Sequence, residues 1–493
     1  MTDWFVDAIF AEIPITSQVG IPWVLVVLLL GASYFTIYFK GINFRSFWTS
    51  IQIIRGKYDA LEDSETLQVS ESVQTTNGDQ PDTATVEGEI GEVSHFQALT
   101  AALSATVGLG NIAGVAIALS IGGAGATFWM ILVGFLGMAS KFVECTLGVA
   151  YREVTEDGTV YGGPMYYLSK GLREKGFSKL GKILAVIFAI MCVGGSFGGG
   201  NMFQANQAFK LFEHVTGGEN SFFYGKGWLF GLIMAILVAI VIIGGIKKIA
   251  RVTDKIVPAM VVVYVLAVIT IIVINYQIVP EAFISIIDGA FSAKGIAGGM
   301  VGVMIQGFRR AAFSNEAGIG SASIAHAAVK TKYAASEGLV ALLEPFIDTV
   351  VICTMTALVL IITGQINVGA EISDEQGVLL TANALESGIS WFPYLLSFAV
   401  ILFAFSSMIS WSYYGYQAWS YLFGRKKYVA YIYKTIFCIC VIIGSAASLT
   451  AVTDFSDAMI FSMLVPNIIG LFMLTPKVAT ELKKYKNAIA NSN

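Results

Sequence analysis

Apolar runs long enough to cross about 30 Å of hydrocarbon recur along this chain at about 21–39, 96–122, 125–150, 183–209, 228–246, 256–276, 296–328, 338–363, 392–422, 429–449 and 457–475. Backbone in lipid must satisfy its own hydrogen bonds, so runs of this kind fold as helices. The expectation is an all-α polytopic membrane protein with eleven transmembrane helices. Charge content agrees: 13% of the 493 residues are Asp, Glu, Lys or Arg, against roughly 25% in soluble domains, too little to cover a soluble surface. The first run follows Asp3, Asp7 and Glu12 with no basic stretch before it, so it reads as a retained helix and not as a cleaved signal.

An odd number of crossings puts the termini on opposite sides, and the basic residues test the arrangement. With the N-terminus outside and the C-terminus in the cytoplasm, 23 of the 30 Lys and Arg fall in segments assigned inside. Only Lys210, Lys226 and Lys294 fall in segments assigned outside, which is the asymmetry that membrane insertion favours. The net charge of -4 carries no basic footprint for nucleic acid. Cys145, Cys192, Cys353, Cys438 and Cys440 all lie in apolar runs, where packing is the expected role. The segment 59–92 holds ten acidic residues and no Lys or Arg, and reads as a solvated cytoplasmic loop.

The stretch GLGNIA at 108–113 recurs as GIGSAS at 318–323, an offset of 210 residues, inside the second and seventh runs. Five runs follow from each start, and five is odd, so the second set runs with opposite topology. The expected architecture is one extra N-terminal helix plus a five-plus-five inverted repeat with two broken helices. It divides the chain into an N-terminal helix and cytoplasmic connection (1–58), an acidic loop (59–93), a first repeat (94–276), a connecting loop (277–295), a second repeat (296–476) and a tail (477–493).

Each glycine weakens a helix interior by about 1 kcal/mol, so Gly108 and Gly110 invite unwinding. Bare backbone at membrane depth is tolerable only where it lines a cavity. There, half-helix N-termini favour an anion such as a carboxylate, and freed carbonyls suit Na⁺. The two breaks therefore point to a small charged or zwitterionic substrate with a co-bound cation. Gly114, Gly122, Gly123 and Gly125 read as close-packing positions. No phosphate-binding loop, His-Glu-x-x-His motif or spaced Ser, His and Asp set is present, so an enzyme is not expected, no organic cofactor is called for, and an ion gradient must supply the energy.

The stretches TVGLGNIAGVAIALSIGGAGATFWM, GGPMYYL, GNMFQANQ, AFSNEAGIGSASIAHA, EPFIDTVVICTMTALV and WSYYGYQAW resemble the alanine or glycine:cation symporter family over roughly residues 94 to 475. Ala124 stands where that family's Gly-Gly-Pro-Gly has proline. The resemblance implies a leucine-transporter-type fold and import of a small neutral amino acid with Na⁺ by alternating access. By the same likeness, the segment around Gly108, with the amides of Leu109 and Gly110, would hold the substrate carboxylate, and the carbonyls of Thr106, Phe313 and Ser314, with Asn315 beside them, would receive its ammonium group. Sodium would sit among carbonyls near Ser104 and Val107 with Ser406 and Ser407. Thr106 and Asn111 resemble ligands of a second cation site. Gln204 and Trp411 would line the pocket, with the Trp411 ring restricting it to a small side chain such as that of alanine or glycine.

Charges inside membrane runs are rare and usually functional. Lys141 and Glu144, three apart, read as an ion pair. Arg309, Arg310 and Glu316 flank the second break, and Glu316 either steadies unwound backbone or senses protons. Glu344 and Asp348 share a helix face, and Asp348 offers a proton or cation path. A proton-coupled carrier using Glu316 or Asp348 is therefore the competing reading. His326 reads as a satisfied histidine at a helix end. The expected partners are the amino acid, Na⁺ and the bilayer, with no nucleic acid and no obligate protein partner, and the expected location is a prokaryotic inner membrane.

Overall fold

A computed structural model describes residues 3–14, 20–62, 91–156, 158–291, 299–366, 377–389 and 391–492. Most of the acidic segment 59–92 lies outside the described residues. The principal helices are α1 (Trp23–Tyr38), α2 (His95–Thr106), α3 (Gly110–Gly122), α4 (Ala126–Ala150), α5 (Ser178–Val215), α6 (Gly227–Ile242), α7 (Gly245–Ile274), α8 (Val279–Phe291), α9 (Gly299–Asn315), α10 (Ala322–His326), α11 (Ala334–Ile362), α12 (Gly377–Glu386), α13 (Phe392–Phe423), α14 (Lys427–Ala446) and α15 (Leu449–Ser492). Two antiparallel hairpins accompany them, β1 (Glu12–Pro14) with β2 (Gly20–Pro22) and β3 (Glu153–Val154) with β4 (Val160–Tyr161).

Seven of these helices, α4, α5, α7, α11, α13, α14 and α15, are long and apolar enough to cross a membrane. The bent pair α2 and α3, at 51°, makes an eighth. The three other expected places carry shorter helices: α1 and α6 have 16 residues each and α9 has 17. At 1.5 Å per residue such helices reach only about 24–26 Å, short of a full hydrocarbon crossing.

Local sequence explains where α2 starts and stops. Ser94 and Gln97 form a capping box: the Gln97 N–H donates to Ser94 Oγ and the Ser94 N–H to Gln97 Oε1, at 3.2 and 3.3 Å. The helix ends where Val107 turns to ψ 92°, just before Gly108. α4 and α13 are buried along most of their length. α7, by contrast, exposes Val262, Leu266, Ile269 and Val273, an apolar face suited to lipid.

α5 and α11 each contain a stretch wound with five-residue hydrogen bonds, Gly198–Met202 and Phe346–Cys353. Such wider turns are uncommon and tend to fall at functional sites. The second reaches both breaks through Asp348, and the first packs against Trp411. Gly125, expected to serve packing, does so: a Cβ there would lie 2.2 Å from the Gly289 backbone of α8.

Candidate functional site

In an unbroken helix the N–H groups of residues 108 to 111 would donate to the carbonyls of 104 to 107. Here the Gly108 N–H donates to Asn111 Oδ1 at 2.8 Å and the Leu109 N–H to Gln204 Oε1 at 3.3 Å. The Asn111 N–H turns to the Gly108 carbonyl at 3.2 Å, and no bond from the Gly110 N–H bridges the break. The carbonyls of Ser104, Ala105, Thr106 and Val107 thus lose their helical donors.

The second break follows the same logic. Glu316, Gly318 and Gly320 all take positive φ, at 55°, 84° and 98°. The Ala317 N–H donates to Asn315 Oδ1 at 3.0 Å and the Ile319 N–H to the Glu316 carbonyl at 3.1 Å. The carbonyls of Phe313, Ser314 and Asn315 are released in turn. Glu316, a non-glycine residue in the left-handed region, accepts from Trp411 Nε1 at 3.2 Å and from the Ser321 hydroxyl, so its carboxylate spans the break.

The breaks meet face to face. A Cβ on Gly110 would stand 3.5 Å from Phe313 Cδ1 and 3.6 Å from Ser314 Cα. Asn111 Nδ2 donates to Ser314 Oγ at 3.0 Å and to Asp348 Oδ1 at 2.6 Å, and the Ser314 hydroxyl donates to Asp348 Oδ2 at 2.8 Å. Thr349 also donates to Asp348 Oδ2 at 2.8 Å, and Asn315 Nδ2 donates to Thr349 Oγ1 at 2.9 Å.

The expected sodium ligands also converge. Ser104 Oγ donates to the Ser406 carbonyl at 2.7 Å, and Ser406 Oγ to the Phe403 carbonyl at 3.0 Å. Ser407 Oγ is buried with no hydrogen-bond partner among the described residues. A Cβ on Gly108 would lie 2.6 Å from that oxygen and 3.2 Å from Gln204 Oε1, so only glycine leaves the hydroxyl facing the break.

Gln204 reaches the first break through the Leu109 N–H, and its Nε2 is held by the Gly199 carbonyl at 3.0 Å. Trp411 is buried against α5; a Cβ on Gly200 would sit 2.2 Å from Trp411 Cγ, so glycine at that position admits the ring. Thr106 Oγ1 bonds the Ala102 and Leu103 carbonyls of its own helix, which leaves its carbonyl as the group Thr106 presents at the break. One expectation changes. Glu344 and Asp348 part company because the wide turns of α11 intervene, and only Asp348 reaches the breaks.

Glu344 belongs instead to a buried charged chain. Lys141 Nζ lies 3.0 Å from Glu344 and 3.9 Å from Glu144, so its closer partner is not the one expected from spacing. His326 is buried between Glu337, at 2.5 Å, and Glu344, and His95 bonds Glu337 in turn. Arg309 and Arg310 both reach Asp457 of α15, at 2.8 and 3.4 Å. Sequence reading singled out Asp348 without a partner and missed Asn467, whose only signal was a polar residue after Pro466 inside an apolar run.

The profile of the sodium:alanine symporter family matches residues 5–493. The sodium/alanine symporter AgcS of Methanococcus maripaludis is 40% identical over 402 residues, covering 81% of this chain and 86% of that protein. The probable sodium/glutamine symporter GlnT of Bacillus subtilis is 33% identical, covering 80% of this chain and 78% of that protein. Among solved structures, MhsT in complex with L-phenylalanine superposes with a TM-score of 0.57 at 16% identity, over 78% of this chain and 90% of its own, which gives the fold as leucine-transporter-type. The chain therefore belongs to the sodium:alanine symporter family, membrane proteins that move an amino acid together with Na⁺ and are not enzymes.

Proposed function

We propose that this protein imports a small neutral amino acid, alanine or glycine, with Na⁺ by alternating access, and that the substrate binds where the two breaks face each other. One observation carries the reading: the N–H groups of 108 to 110 and the carbonyls of 104 to 107 and 313 to 315 lack their helical partners at one place in the molecule. The amides of Leu109 and Gly110 would take the carboxylate, with Gln204 Oε1 yielding the Leu109 N–H to it. The carbonyls of Phe313 and Ser314, beside Asn315, would take the ammonium group, joined by that of Thr106. Phe313, which a Cβ on Gly110 would approach to 3.5 Å, and the buried Trp411 would restrict the substrate to a short side chain.

Sodium would rest on carbonyls of Ser104 to Val107 with Ser407 Oγ, and Ser406 would contribute through its place on the same turn. The Asn111, Ser314 and Asp348 cluster suits a second cation beside the substrate. Because Asp348 is a buried carboxylate touching both breaks, it also supports the competing reading in which a proton on Asp348 couples transport. Glu316 is less suited to that task, since both its oxygens are engaged in holding the second break. The halves 94–276 and 296–476 would rock about this site, with the N-terminus outside and the C-terminus in the cytoplasm of a prokaryotic inner membrane.

The test is uptake of labelled alanine into liposomes holding the purified protein, under a Na⁺ gradient and a matched K⁺ control. Saturable accumulation only with Na⁺, abolished by Gly110→Leu, supports site and coupling together. Accumulation driven by a proton gradient without Na⁺ overturns the Na⁺ assignment in favour of Asp348. Substrate affinity should rise with Na⁺, since linkage is reciprocal.

A further inference from the structure

The second break has a support from outside its own half-helices. In an unbroken helix the Gly318 carbonyl would accept from the Ala322 N–H. It accepts instead from Asn467 Nδ2, at 2.8 Å, from the last helix, α15. A freed carbonyl at membrane depth needs such a partner, because no solvent can stand in for it. At the first break Asn111 Oδ1 accepts from the Gly108 N–H and so steadies an amide rather than a carbonyl; among the described residues no side chain of the second break's own half-helices donates to the Gly318 carbonyl.

We propose that Asn467 is the positioning residue of the second break: its amide holds the Gly318 carbonyl, and so fixes the direction in which the carbonyls of Phe313 and Ser314 face the substrate. The functional part of this assignment rests on the reading of the breaks as the transport site.

Every atom of the Asn467 amide is committed. Nδ2 also donates to Glu144 Oε2 at 3.2 Å, and Oδ1 accepts from the Tyr167 hydroxyl. Two acceptors, a carbonyl and a carboxylate, settle which end of the amide carries the N–H groups. Glu144 is itself anchored near Lys141, at 3.9 Å, and Lys141 to Glu344 at 3.0 Å. α4, α11, α15 and the helix Pro164–Glu174 thus converge on one carbonyl of the break.

The backbone is shaped to receive the amide. Gly320 takes φ +98°, and a Cβ there would stand 2.9 Å from Asn467 Cγ and 3.0 Å from Nδ2. Pro466 immediately precedes Asn467 inside α15 and removes one helical N–H from that turn. A step of the transport cycle that re-forms or shifts the second break must therefore carry α15 with it or release this bond.

The experiment uses the full chain in detergent and in liposomes, with Asn467→Leu, which fills the same space but donates nothing, and Asn467→Ala, which avoids overpacking should the first variant not fold. Asn206→Leu serves as the control for losing a buried amide elsewhere, since Asn206 donates to the Gly444 and Ala447 carbonyls at 3.1 and 2.8 Å, away from the second break. Amide hydrogen exchange is followed over 313–323 and 105–114, alongside KM and maximal rate for alanine uptake. The expected result is exchange over 313–323 faster by about tenfold in the Asn467 variants, with 105–114 little changed. KM should rise by about tenfold, with the maximal rate changed by less.

Exchange over 313–323 no faster than in Asn206→Leu overturns the proposal, as does a loss of maximal rate at unchanged KM. If the wild-type protein takes up no alanine with Na⁺, the transport reading fails, while the exchange comparison still decides what Asn467 holds.

Discussion

Asn111 and Asp348 lie 2.6 Å apart, amide nitrogen to carboxylate oxygen, although 237 residues separate them in the chain. Ser314 closes the triangle, so the first break, the second break and the wide turn of α11 share one buried set of side chains. A carboxylate placed there lends negative charge to both breaks, and that charge favours a cation within a few ångströms.

Asp348→Asn keeps the size of the side chain and removes the charge. The half-saturating Na⁺ concentration for alanine uptake should rise by about tenfold, equivalent to ~1.4 kcal/mol. Sodium titrations of uptake at constant ionic strength check this, and an unchanged sodium curve would show that Asp348 serves the local fold alone.

Ser407 presents the opposite balance between stability and function. Its hydroxyl is buried without a hydrogen-bond partner among the described residues, and removing such a group usually leaves stability unchanged or improved. Ser407→Ala should therefore keep or raise the thermal midpoint of the purified protein while weakening Na⁺ activation several-fold. A lower midpoint with normal Na⁺ activation would make Ser407 a packing residue.

The features legible in the sequence are those that depend on local pattern. The first break was readable because Gly108, Gly110 and Asn111 interrupt an apolar run, and the pairing of the two breaks was readable from the spacing of two short motifs. Asn111 was placed by that pattern and Ser314 by the family likeness, but their partner Asp348 was not, because only the wide turns of α11 swing it away from Glu344. The same limit hid Asn467 and the closer pairing of Lys141 with Glu344 across two helices: neither follows from a period of 3.6 residues. Gly200 is one of three successive glycines, and nothing in that run says that Trp411 occupies the space beside it.

Gly108 and Gly114 lie six residues apart in the same run but differ in surroundings. A methyl group at Gly108 meets Ser407 Oγ at 2.6 Å, whereas at Gly114 the nearest atom is 4.0 Å away, on Arg310. Gly108→Ala should reduce Na⁺-driven uptake by an order of magnitude or more, and Gly114→Ala should stay within about twofold of the parent, since space decides the cost of a small-to-large change. Equal losses from both would mean that the segment tolerates no side chain for reasons of helix packing alone.

Lys141 sets the stability of the charged chain beside the second break. Its ammonium group is fully buried, 3.0 Å from Glu344 and 3.9 Å from Glu144. Glu344 has His326 as a second partner, but among the described residues Glu144 retains only the neutral Asn467 amide once the lysine is gone. Breaking a buried pair from one side leaves an uncompensated charge, at a cost of about 3–5 kcal/mol. Lys141→Met should lower the thermal midpoint accordingly, and adding Glu144→Gln should recover part of the loss, because the second change removes the stranded carboxylate. Thermal unfolding of the two variants in the same detergent measures this directly. If the double variant is no more stable than Lys141→Met alone, a stranded Glu144 carboxylate is not what the loss of the lysine costs.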